Sequence, residues 1–318
     1  DKFFQGIKEL EKLKIIEILE DDFFRVYSKD VLQKMVNCYE RRSMNFRRSV
    51  SARLKNITSD RKLDNEHALF LNACAARYSK SEQEVVSLFR HILFRTSSPD
   101  DIKITALLNL SDFLFNSRGK KEEAVKVFRE FDHKFNTDPN FVKMYATYSW
   151  AIDDYKKSIQ ILSDFMAQKD VVKNISHSFY LELSGLLLTY ICIDAIQEKE
   201  ALKAQYRYGE ISDDEYRLNN SAIRTYFEDI YKKYGMLLFT HVKKISDISK
   251  LNSVSRQNVT TGMFQFVNVC IRSNKYITAL DICRFVLDSW PSYLHDKFMS
   301  KSVYIERCLK EMRRDLML

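Results

Sequence analysis

The residues that could carry chemistry in this chain are numerous but scattered. Six histidines (His67, His91, His133, His177, His241, His295) fall in no HExxH and at no metal-ligand spacing, so each is expected to be structural. Carboxylate pairs such as Asp153-Asp154 and Asp213-Asp214 sit where helices should start, and there a negative charge meets the positive end of the helix dipole. General acid or base work needs a buried, perturbed carboxylate, and nothing in the sequence marks one. Gly119-Lys120-Lys121 lacks the rest of a phosphate loop, and no serine lies in GxSxG. The six cysteines (Cys38, Cys74, Cys192, Cys270, Cys283, Cys308) show no CxxC spacing. They are expected to be small buried apolar groups in a reducing, cytoplasmic compartment. The chain is therefore expected to be non-catalytic, with no metal and no cofactor.

One charge feature is concentrated. Between 40 and 62 stand Arg41, Arg42, Arg47, Arg48, Arg53, Lys55, Arg61 and Lys62 against only Glu40 and Asp60, most of the formal net charge of +8. Phe46, Val50 and Leu54 interleave with these cations, which would set a cationic stripe opposite an apolar one. Three readings stay open: phosphate binding by a helical nucleic-acid domain, docking onto an acidic partner or another domain of the same polypeptide, and plain solvation. A basic run carries no base-reading information of its own.

The elements that must hold these residues are helical. Gly (6) and Pro (3) together number nine, where average usage would give roughly 38. The segment 104–139 reads as one antiparallel helix pair: Leu107, Leu108, Leu110, Leu114 and Phe115, a turn at Ser117-Arg118-Gly119, then Ala124, Val125, Val127, Phe128, Phe131 and Phe135. Its second-helix string EAVKVFREF recurs 34 residues later as KSIQILSDF, and more loosely as EVVSLFRHI (84–92) and TALDICRFV (278–286). The longest uncharged apolar run, 183–193, is closed by Glu182 and Asp194 and falls short of the ~20 residues a bilayer requires, so no membrane partner is expected. The opening Asp1-Lys2-Phe3-Phe4 carries no initiator Met, and the chain is expected to be part of a longer polypeptide.

Four blocks follow. Residues 1–62 form an N-terminal helical block, with two short helices expected over 2–27 and a longer one after Ser28. Residues 63–174 hold repeated helix pairs. Residues 175–250 form a long helical hairpin, turned at Gly209-Glu210-Ile211 and restarted by the capping box Ser212 to Glu215; it either projects from the stack or packs within it. Residues 251–318 return to a pair plus a capping helix, with the polar stretch 250–262 as a linker.

The 34-residue period, the small residue early in the second helix and the large one four later resemble tetratricopeptide repeats (TPR). Ala124, Ser158 and Ala279 take the small position and Phe128, Leu162 and Cys283 the large one; Ala146 matches the small residue of a first helix. Asp112 and Val267 depart from that last position, the early Trp is absent, and the match covers about half the chain. The resemblance implies an all-α, TPR-like α-solenoid of antiparallel helix pairs with a long hairpin insertion. It further implies a concave groove that binds a protein or peptide, lined by Asn109, Phe113 and Asn116, by Lys143, Thr147 and Trp150, and by Phe264, Asn268 and Ile271. The Lys-, Asn-, Ile- and Phe-rich composition resembles that of bacterial proteins. By fold-level analogy, the segment resembles the sensor regions of bacterial signalling and defence proteins.

Overall fold

The structure, a computed structural model, describes residues 16–19, 23–26, 65–77, 80–245 and 247–315. The basic stretch Arg41 to Lys62, and the helix expected after Ser28, lie outside them. The described chain is predominantly helical. The exception corrects the reading of 2–27 as two helices: β1 (Ile16–Leu19) pairs antiparallel with β2 (Phe23–Val26), Ile16 opposite Val26 and Glu17 opposite Arg25. Short apolar runs rich in Ile, Val and Phe fit either periodicity, and here β-branched and aromatic preference prevails.

Two compact units divide after Val127. In the first, α1 (Asn65–Ala76), α2 (Glu82–Phe94) and α3 (Asp100–Asp112) pack on one another. Ser81 starts α2 with a full capping box: its hydroxyl accepts from the Glu84 N–H, and the Glu84 carboxylate accepts from the Ser81 N–H. The lysine ammonium of Lys80, then the Ser81 donors, hold the Glu84 carboxyl down at about 2. Val85, Phe89, Ile92 and Leu93 form the buried stripe of α2. Beyond α3 the chain makes a π-turn (Phe113–Ser117) and reverses at Gly119, whose φ of +68° is left-handed. The helix α4 (Lys121–Phe135) follows, and the division between units falls within it.

The second unit opens on an aromatic layer. Asp138 caps α5 (Pro139–Trp150), its carboxylate accepting from the N–H groups of Asn140 and Phe141, and Pro139 occupies the first helical position. Phe128 then stacks on Tyr145 at 5.4 Å and meets Phe141 and Tyr148 edge-on at 5.2 and 5.8 Å. Next come α6 (Tyr155–Ala167), the single turn α7 (Lys169–Val172), and the long α8 (His177–Arg207). After α8 follow α9 (Asp213–Asp229), a π-turn (Ile230–Gly235) and α10 (Met236–Lys243). Last come α11 (Ser253–Arg272), α12 (Tyr276–Ser289) and α13 (Asp296–Asp315). The repeat positions Ala124, Phe128, Ala146, Ser158, Leu162, Ala279 and Cys283 are all fully buried.

The tightest packing in this unit is α8 against α11. A Cβ on Gly185 would lie 2.6 Å from the Asn258 carbonyl oxygen, and one on Gly262 would lie 2.6 Å from that of Gly185. Only glycine permits two helix backbones to approach so closely. This corrects the linker reading of 250–262. Asn252 caps α11, its side chain accepting from the Ser255 N–H, and the segment is helical from Ser253 because its small residues turn inward. Within 175–250 the two ends of the long helix differ in burial. Leu181 to Ala195 is largely buried core, whereas Tyr206 and Tyr208 at the far end are exposed, Tyr206 stacking on Tyr216 at 4.3 Å. By length and composition α8 could cross a bilayer, but 72% of its apolar window is buried against the rest of the unit.

Candidate functional site

The three trios assigned to a groove do not line one. Asn109 and Phe113 are buried. Asn109 donates to the Thr105 carbonyl and accepts from Arg77, which also donates to Asp112 at 2.7 Å, and the guanidiniums of Arg77 and Arg118 lie over the Phe113 ring. Asn116 is exposed and donates to Asp112.

Lys143, Thr147 and Trp150 share a face of α5, but that face meets α8. Lys143 donates to Glu182 at 2.9 Å and sits over the Phe179 ring. Trp150 stacks on Tyr190 with centroids 4.1 Å apart. Burial pushes the Tyr190 phenol up to about 12, against a hydrogen bond with Thr147 that lowers it. Phe264 meets Phe298 of α13 edge-on, Asn268 is buried and donates to Gln265, and Ile271 is half-buried. Asn116 and Thr147 are exposed and the other seven are buried or half-buried, because neighbouring helices cover most of the faces on which these residues lie.

Glu182 is the hub of a buried polar junction that the sequence did not single out. Its second oxygen accepts from Ser255 at 2.6 Å, and the Ser255 oxygen accepts in turn from Asn252 and Ser178. With Lys143, these groups tie α5, α8 and the start of α11 together. Nearby charge is similarly consumed: Asp194, also buried, accepts from Lys156 and Tyr226. Cys192, Cys270 and Cys283 are buried, and burial holds their thiols well above the usual range, at about 12 for Cys270 and Cys283. Such thiols are packing groups, neutral and unreactive in the folded state. Among the described residues no cluster of His, Cys, Asp or Glu could hold a metal ion.

Among the described residues, a trough of about 900 Å³ runs along α2 in the first unit. Val86, Ser87, Arg90 and Phe94 line it along the helix, with Arg95 at its end and Glu123 across it. Phe94 is 64% exposed, out of phase with the buried stripe of its own helix. Glu82, at the other end, is neutralised by Lys120 at 2.6 Å and more loosely by Arg118. Along α2 the trough thus runs from Glu82 past Val86, Ser87 and Arg90 to Phe94 and Arg95. The sequence signal was present: within EVVSLFRHILF the core phase is 85, 89, 92 and 93, and an aromatic at 94 falls off it. Comparison with protein-family models, with characterised proteins and with solved structures gave no match.

Proposed function

We propose that this chain is a TPR-like, non-catalytic recognition module that binds a partner polypeptide along α2. The observation that carries the reading is the trough itself, with an exposed Phe94 beside Arg90 and Arg95. It fits a helical or extended peptide that presents one apolar anchor flanked by carboxylates. Helix pairs joined by buried polar junctions keep such a surface preformed, so the partner meets little ordering cost in the module. The test is a pull-down from cells that express the protein. A species retained by the wild type and by an exposed control, Leu218→Ser, but lost with Phe94→Ser and with Arg90→Glu supports the reading; equal retention by all four overturns it. The alternative, nucleic-acid binding through Arg41 to Lys62, rests on residues outside those described. It predicts retention on duplex DNA or RNA at low salt that falls steeply between about 50 and 200 mM.

A further inference from the structure

The second unit contains a different kind of concavity. A partly enclosed cavity of about 260 Å³ lies between the end of α6, the first third of α8 and the π-turn with the start of α10. Its walls are largely apolar, with Met166, Leu187 and Leu237 among them, and among the described residues Lys233 is the only ionised side chain that lines it. The volume is below the ~300–1,000 Å³ of sites for drug-sized ligands, which points to a small molecule and not to a peptide.

Two independent features mark this cavity as more than a packing gap. The first is Ser184, which borders it: the Ser184 hydroxyl is buried and has no hydrogen-bond partner. On the helices that line the cavity, Ser158, Thr189 and Thr240 back-bond to the carbonyl four residues earlier, and Ser184 does not. An unpartnered buried hydroxyl costs free energy that a ligand's polar atom would recover.

The second is the backbone. Lys233 and Tyr234 reach the cavity from a π-turn, an irregularity that costs helix geometry and recurs at binding sites. The turn is held in place from behind: a Cβ at Gly235 would meet the Phe266 ring at 2.1 Å, so the ring occupies the room an ordinary residue would need.

We propose that this cavity binds a small organic acid with an apolar, ring-sized body, its carboxylate on Lys233 and its body against Met166, Leu187 and Leu237. Lys233 currently donates to Asp229 at 3.0 Å, and an ammonium has three protons to give, so a carboxylate adds to that pair without breaking it. The Ser184 hydroxyl, which borders the same cavity, donates to a second acceptor on the ligand. The site is separate from the trough on α2, so its failure leaves the partner-recognition reading untouched.

The test uses the whole chain and 4-fluorocinnamate, followed by fluorine NMR, beside the neutral 4-fluorocinnamamide. Saturable binding of the acid in preference to the amide is expected. Lys233→Met, at an exposed side chain, should weaken the acid by about tenfold, the loss of one charge-assisted hydrogen bond, with unchanged circular dichroism. Ser184→Ala should raise the melting temperature of the ligand-free protein and yet weaken binding, a pairing that a purely structural serine would not give. Ala167→Phe, which fills the cavity, should abolish binding. No saturable binding of the acid, equal binding of acid and amide, or indifference to Lys233→Met overturns the proposal.

Discussion

Two junctions in the second unit bury helices by opposite means. Where α4 ends against α5, large rings interdigitate, Phe128 among Phe141, Tyr145 and Tyr148. Where α8 crosses α11, side chains are nearly dispensed with, and Gly185 and Gly262 let backbone touch backbone. The first junction tolerates loss badly because a cavity opens; the second tolerates gain badly because nothing soft lies in the way. Aromatic layers announce themselves in a sequence, and glycine crossings do not.

Breaking the aromatic layer should have the largest effect. Phe128→Ala is expected to cost about 3–5 kcal/mol in urea denaturation, since a fully buried ring is removed from a rigid surround. A cost under ~1 kcal/mol would mean the layer collapses around the gap. Overpacking the other junction comes next: Gly185→Ala and Gly262→Ala should each cost about 1–3 kcal/mol. Because both force the same backbones apart, the double variant should cost clearly less than their sum. Additive costs would separate the two glycines.

How much of this was legible follows from the same contrast. The helix pairs, the reversals at Gly119 and Gly209 and the capping box at Ser212 were all readable, because periodicity and turn chemistry are local. The hairpin over 16–26 was not, because a four-residue run is too short to fix a period. Residues 250–262 were misread because Ser255, Val259 and Gly262 look like a linker unless the partner helix is known. The groove assignments failed for a related reason: what covers a helix face is decided elsewhere in the chain. Lys143 and Trp150 meet residues of α8 that lie 39 and 40 positions further along the chain.

Smaller effects sharpen the comparison. Glu182→Ala should cost about 1–3 kcal/mol by stranding Ser255 and Lys143, less than an entirely buried pair because Lys143 keeps contact with water. The double change Glu182→Met with Lys143→Met should recover part of that loss, and no recovery would show that the junction matters through the serine alone.

His241 lies beside Tyr180 and His177; burial first, then the Lys244 cation and His177, lower its pKa. A lowered folded-state value means stability that is present above the unfolded pKa of ~6.5 and lost as pH falls through the folded one. His241→Phe should flatten the melting temperature between pH 7 and pH 5. Smallest of all, Phe94→Ser on the open trough should change stability by no more than about 0.5 kcal/mol.

The three thiols on α8, α11 and α12 give the crossing a built-in clock. Being neutral and enclosed, Cys192, Cys270 and Cys283 can meet an alkylating reagent only when their helices part. The order in which they become labelled therefore times the disassembly of this seam. If Cys283 is modified before Cys192 and Cys270, the last helices peel away first; if all three react together, α8, α11 and α12 come apart as a single cooperative block.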